Sequence, residues 1–195
     1  MTERPILFNT EMVRAILEDR KTQTRRLVKG LPLAEPWFTV EDGKPMMCDE
    51  NGEWYPAERF SVVQPGDILW VRETWAKDAG RYMYRANYSD TEKFYMNGRE
   101  IRMVWSPSIH MPRKAARLFL LVKDVWCERL QDMTVEDCAL DGGFCMDAVK
   151  VIGVERLFGK LWDSTIKKAD IPHYGWDANP WVWVREFKRI NPQNQ

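Results

Sequence analysis

Met12, Val13, Ile16 and Leu17 recur at the spacing of one helical face, and Asn9-Thr10 ahead of them offers an N-cap, so the pattern predicts a first helix over residues 11–18. The turn signal Gln64-Pro65-Gly66-Asp67 leads into Ile68-Leu69-Trp70-Val71-Arg72-Glu73, a β-rich run that reads as a central strand. Further strands are expected at 81–86, 103–105, 116–125 and 181–190. The last shows the clearest alternation, with Val182, Val184 and Phe187 set against Trp183, Arg185 and Lys188. Thr134-Val135-Glu136-Asp137 resembles a capping box with Asp in place of the usual Glu, and its short helix ends at Gly142-Gly143, leaving Asp141 at a helix end. Leu157, Phe158, Leu161 and Trp162 predict another helix over 154–166.

Short strands with interspersed short helices argue for an α+β domain spanning residues 1–195. A small β-barrel is the best candidate, because closure removes exposed strand edges, although the pattern alone does not fix the topology. Residues 30–60 are rich in Pro, Gly, Asp and Glu and contain Gly43-Lys44-Pro45 and Asn51-Gly52. They read as an inserted excursion carrying a small hairpin.

Composition narrows the function classes. At 195 residues and 45% hydrophobic content the chain suffices for one well-filled core. No run of about 18 apolar residues occurs and the N-terminus is charged, so neither a membrane span nor secretion is indicated and a cytoplasmic location is expected. Cys48, Cys127, Cys138 and Cys145 form no C-x-x-C pair, and only His110 and His173 could join them. Neither a metal nor another cofactor is expected, and the thiols read as reduced. With 29 basic and 29 acidic residues there is no global field to attract a polyanion, so any nucleic-acid contact must be local. Two basic stretches qualify: Arg20, Lys21, Arg25, Arg26 and Lys29, and then Arg99, Arg102, His110, Arg113, Lys114 and Arg117. Most of the ten tryptophans belong to the core, leaving one or two as stacking platforms for bases.

The segment Asp19-Arg20-Lys21-Thr22-Gln23-Thr24-Arg25-Arg26 interleaves cations with hydroxyls, and a segment of this kind is expected to face solvent or an anion. Arginine forks bind phosphate bidentately and threonine hydroxyls add hydrogen bonds, which suits a nucleic-acid backbone or a polar nucleoside.

In this context, Arg20-Lys21-Thr22-x-Thr24-x-Arg26, Pro65-Gly66-Asp67-Ile68-Leu69, Leu130 through Asp141 and Trp183-Val184-Arg185-Glu186-Phe187 together resemble the ASCH family of the PUA-like superfamily. The likeness spans nearly the whole chain. Segments such as Trp105-Ser106-Pro107-Ser108-Ile109-His110-Met111-Pro112-Arg113 and Trp176-Asp177-Ala178-Asn179-Pro180-Trp181 are similar to its larger, prophage-type members. The resemblance implies a PUA-like β-barrel and a nucleic-acid partner. It also implies distant similarity to amidohydrolases that remove the acetyl group of N4-acetylcytidine with a lysine, a threonine and a glutamate. Lys21 and Thr24 match the first pair by position, and Asp141 takes the place of the glutamate.

Two functions follow as expectations. One is a module binding RNA or a modified nucleoside through Arg20, Lys21, Thr22, Arg25 and Arg26, with Trp75, Tyr84, His110 and Arg113. The other is a hydrolase of an N-acylated cytidine using Lys21, Thr24 and Asp141, with Thr24 as nucleophile or as donor to the developing oxyanion, and with Glu73 as a substitute carboxylate. A nuclease ranks third, and a protein-binding role stays open. The purely structural alternative is a Lys21–Asp141 salt bridge that pins a loop while Thr24 caps a turn. Lys21 and Thr24 can cooperate only if their segment is not flat β, since positions i and i+3 of a strand point to opposite faces.

Overall fold

A computed structural model describes residues 1–29, 38–78, 80–96 and 98–191. In chain order the elements are β1 (Glu3–Leu7), α1 (Thr10–Leu17), β2 (Gln23–Leu27), β3 (Phe38–Glu41), β4 (Lys44–Cys48), β5 (Trp54–Pro56), β6 (Ile68–Arg72), β7 (Trp75–Asp78), β8 (Arg81–Tyr84), β9 (Phe94–Met96), β10 (Arg99–Ile101), β11 (Phe119–Arg129), α2 (Val135–Gly142), α3 (Met146–Ile152), α4 (Lys160–Thr165), α5 (Ile171–Tyr174) and β12 (Trp181–Ile190). The chain is α+β, and among the described residues its strands form several sheets, none of which closes into a barrel. No helix is long and apolar enough to cross a membrane, and no group of three or more His, Cys, Asp or Glu is placed to hold a metal, both among the described residues.

Two compact units emerge, one of residues 1–19, 67–121 and 189–195, the other of 20–66 and 122–188. In the first, β1 runs parallel to β6 with Glu3 opposite Ile68, and β6 pairs antiparallel with Phe119–Leu121 at the start of β11. The Asp67 carboxylate accepts from the Thr2 backbone N–H at 2.8 Å, and the Ile68 N–H donates to the Thr2 carbonyl. Those two bonds fix the register in which the β6 run is used. Asn9 caps α1 as the sequence predicts, its Oδ1 accepting from Met12 N–H at 2.9 Å, and Val13, Ala15 and Ile16 are buried. Leu69, Val71, Leu120 and Met111 are also sealed from solvent in this unit.

In the second unit β12 pairs antiparallel with β2, placing Val184 opposite Arg25 and Glu186 opposite Gln23. Val182 and Val184 are buried in an apolar cluster with Leu130, Met133, Cys138, Val149, Phe158, Trp162 and Trp176. Val182 and Val184 are buried on one face of β12 as expected, but Phe187 falls on the opposite face with Trp183 and both are buried, so that part of the strand is covered on both faces. The predicted small hairpin is a three-stranded antiparallel sheet, β3-β4-β5, whose tight turns carry Gly43 and Gly52 at positive φ; residues 30–37 of that excursion lie outside the described residues.

The capping box is complete. The Thr134 side chain accepts from Asp137 N–H at 3.1 Å, and the Asp137 carboxylate accepts from Thr134 N–H at 3.0 Å. The helix ends on Gly143 in the left-handed conformation (φ 65°). The helix expected over 154–166 is a π-helical turn, Glu155–Gly159, running into α4.

Two strand expectations are corrected. Residues 103–105 form no strand, because Val104 is 81% exposed and Trp105 turns onto Tyr88 and Phe94. Only Ser106 touches a ladder, as an isolated bridge to Trp75. The strand expected over 116–125 starts at Phe119 and runs to Arg129, since Arg113–Ala115 is taken up in a 3-10 turn.

Candidate functional site

Alternation in β2 sorts the basic segment into two sets of side chains. Lys21, just before the strand, and Gln23 and Arg25 within it turn to the carboxylates of α2 and β11. Thr24 and Arg26, at the intervening positions, bond to each other, Arg26 Nη1 donating to Thr24 Oγ1 at 3.0 Å.

The Lys21 ammonium donates to Asp141 Oδ1 at 2.6 Å, to the Gln23 carbonyl at 2.8 Å, and to the Asp141 carbonyl. Three acceptors match its three hydrogens. Arg25 donates from Nε and Nη2 to Glu128 Oε1 at 2.9 and 2.7 Å, while its Nη1 lies 3.4 Å from Asp141 Oδ2 and its Nη2 3.6 Å from Asp137. Asp141 Oδ2 also accepts the Arg25 backbone N–H at 2.9 Å. The Thr22 N–H donates to the Leu140 carbonyl, and the Phe187 N–H on β12 to the Thr22 carbonyl. The end of α2 thus satisfies backbone groups of β2 that the ladder with β12 leaves over, which covers an edge otherwise open to another chain. Glu128 is held in turn by Trp126 Nε1 at 2.6 Å.

The segment divides between the two settings expected of it, solvent and an anion. Lys21 is 3% exposed, Gln23 7%, Thr24 0% and Arg25 1%, and the anions that Lys21 and Arg25 face are carboxylates of their own chain. Arg20 and Lys29 are exposed and Thr22 and Arg26 half-buried. Arg20 donates to the Gly143 carbonyl, next to the α2 cap.

Burial holds the Lys21 ammonium below its ordinary range; Asp141 resists this as charge partner and acceptor, and Arg26 and Arg25 reinforce it. Arg26 is lowered by burial as well, against the pull of Asp141. Asp137 is pushed up by burial, but the hydrogen bonds from Thr134, with Arg25 and Gln23 alongside, outweigh that and leave it lowered.

Of the proposed catalytic trio, then, Lys21 and Asp141 are brought together, and the Thr24 hydroxyl is engaged by Arg26 instead. The remaining candidates belong to the first unit. Trp75 and Tyr84 are register partners on β7 and β8, but the Tyr84 ring lies under the Arg117 guanidinium at 4.0 Å, and its hydroxyl donates to the Ala115 carbonyl at 2.9 Å. Glu73, 1% exposed, takes both arms of Arg117 at 2.8 and 2.9 Å, so it is already committed to an ion pair. Arg113 forks onto Glu3 at 2.8 and 3.0 Å and stacks over Phe119 at 4.4 Å; His110 is exposed at the end of a 3-10 turn.

Glu128, Asp137 and Gln23 are the participants that sequence reasoning missed. Asp137 stood out only as a cap. Glu128 had a faint signal, because Trp126-x-Glu128 alternates along a strand as Gln23-x-Arg25 does.

No protein-family model, no curated protein and no solved structure matches this chain.

Proposed function

We propose that this chain is a PUA-like domain of the ASCH type that holds single-stranded RNA or a modified nucleoside through the accessible part of the Arg20–Arg26 segment. The observation supporting this reading is the division within the segment: Lys21 and Arg25 are buried on carboxylates, while Arg20, Thr22 and Arg26 keep access to solvent. Buried anchors at alternate positions hold the intervening backbone and side chains in place, so less conformational freedom is lost when a ligand binds. Arginine forks and a threonine hydroxyl suit phosphate and the polar edges of a nucleoside. On this reading β2, paired with β12 and held by α2, is the scaffold of the binding segment.

The test is binding of a short single-stranded RNA as ionic strength rises from about 50 to about 200 mM, where phosphate contacts give a steep loss of affinity. A folded protein that binds no RNA and no nucleoside at the lower salt overturns the reading.

A second reading is favoured by one observation, the 2.6 Å contact between Asp141 and a lysine whose charged form burial disfavours. It is hydrolysis of an N-acylated cytidine. Water adds to the acyl carbonyl carbon, the C–N bond breaks, the acid leaves, and a proton passes to the departing amine nitrogen. Lys21 in its neutral form is the base, and Asp141 holds and takes up its proton. Thr24 accepts from Arg26 and keeps its own O–H as a donor, whereas Lys21 serves this reading only after giving up one of its acceptors. Release of cytidine from N4-acetylcytidine, lost in Lys21→Met, supports this chemistry; no release from the folded wild type removes it and leaves the binding reading.

A further inference from the structure

The second basic stretch of the sequence takes no part in the function proposed above. Residues 101–123 include no Asp or Glu, and Arg113 from this stretch joins Arg72 of β6 on one face of the first unit's sheet. Ladder partners share a face, so Pro5 of β1, Trp70 of β6 and Phe119 of β11 form a row across three strands. On this face Glu3, Pro5 and Leu7 are exposed and Trp70 is half-buried, whereas Ile6, Leu69, Val71 and Leu120 on the other face are sealed in the core.

Two guanidiniums lie over the row. The carbon of Arg72 is 5.6 Å from the Trp70 ring centre, and that of Arg113 is 6.0 Å from Trp70 and 4.4 Å from Phe119. Each is anchored along one edge. Arg72 donates through Nε to the Met111 carbonyl at 3.1 Å and through Nη2 to the Ile109 carbonyl, and Arg113 donates through Nε and Nη2 to Glu3 at 2.8 and 3.0 Å. The other edge is open: Nη1 of both meets no acceptor among the described residues, and that of Arg72 is reached by solvent. Glu3 offsets the charge of Arg113, but Arg72 faces only carbonyls, so the face keeps a positive charge.

These are the elements that recognise a nucleotide: spare guanidinium donors for phosphate and flat surfaces for a base. Both arginines are already held by their other edges, so little side-chain freedom is lost when a ligand binds. An acidic peptide would use the charge and leave the flat surfaces idle. We propose that this sheet face of the first unit is a separate contact for single-stranded nucleic acid. Backbone phosphate meets Nη1 of Arg72 and Arg113, and a base stacks on the outer side of the Arg113 guanidinium, whose inner side lies over Phe119. The inference stands independently of the Arg20–Arg26 reading.

The experiment photo-cross-links a short oligoadenylate carrying one central 4-thiouridine to the full chain and maps the adducts by mass spectrometry. Adducts are expected within 70–72 and 109–114, in the wild type and in Arg20→Ala alike. Arg113→Lys keeps the charge at an exposed position and removes the flat guanidinium, so the adduct yield there falls at least about threefold. An abasic oligomer of equal length competes for these adducts at least about fivefold more weakly than oligoadenylate, because it has no base to stack. Adducts confined to other segments overturn the inference and leave the Arg20–Arg26 reading standing. So does their disappearance in Arg20→Ala, an unchanged yield in Arg113→Lys, or equal competition by the abasic oligomer, which reduces the face to an anion site. A folded wild type that binds none of the oligoadenylate at about 50 mM salt overturns both.

Discussion

The Lys21 ammonium lies 2.6 Å from Asp141 Oδ1, with their side chains 1% and 6% exposed. A pair this dry gains little net stability over an apolar pair of the same volume, yet it is expensive to break from one side. Asp141→Ala strands the Lys21 charge and takes an acceptor from Arg25, so the expected loss of stability is about 3–5 kcal/mol. The paired change Lys21→Met with Asp141→Leu is expected to recover part of that loss. Urea unfolding of the four proteins of the cycle measures the coupling, and strictly additive losses contradict the pairing.

The same lysine gives stability a pH dependence. Burial, the largest influence, lowers its pKa in the folded chain from the ordinary 10.5, and Asp141 only partly offsets this. Between the lowered folded value and 10.5 the unfolded chain binds more protons at this site, so the contribution of Lys21 to stability rises with pH across that window. Compared with Lys21→Met, the wild type is expected to gain ground as pH climbs from neutrality toward 10.5. A difference that shrinks over that range, in urea unfolding, contradicts the burial argument.

At the acid end the sign reverses. Burial raises Asp137, but the two bonds from Thr134 prevail and hold it below 3.8. The stability it contributes is present above 3.8 and is lost as pH falls through the folded value. Thr134→Ala removes the side-chain cap, with an expected cost of about 1 kcal/mol near neutrality and an acid unfolding midpoint moved to higher pH.

The four thiols are expected to differ in reactivity. Burial first, then Glu58 and Glu128, pushes Cys127 up to about 12, and burial with Asp141 pushes Cys138 up to about 11. Cys145 is exposed. Mass-spectrometric mapping of brief alkylation of the folded chain should find Cys145 modified well ahead of Cys127 and Cys138, since the thiolate is the reacting form. Equal rates at the three positions contradict the burial described for this unit.

Local signals were readable where one residue type has one job. Asn9 and Thr134 announce their helices, Gly143 ends α2, and the β-branched residues of 68–72 and 181–190 announce their strands. The short α3 and α5 were missed because seven and four residues carry too little periodicity to stand out. Residues 103–105 misled for the opposite reason, since their β-favouring side chains have no partner edge to join. At the site, Asp141 was legible because it sits at a marked helix end. The burial of Lys21 and Arg25 was not, because it depends on Asp141 and Glu128, each more than 100 positions away. The buried Gln23 oxygen that accepts no hydrogen bond has no signature in sequence at all, because its burial depends on what packs over β2.

The most direct measurement of the central claim is fluorescence anisotropy of a labelled short single-stranded RNA, titrated at two salt concentrations. The proteins are the wild type, Arg20→Ala, Arg26→Ala and, as control, Lys150→Ala on the exposed side of α3. If the accessible arginines meet the ligand, each arginine variant binds more weakly and its salt slope falls by about one, while Lys150→Ala matches the wild type. Arginine variants that remain folded and bind as the control does, with the same salt slope, contradict the assignment of this segment as the binding face.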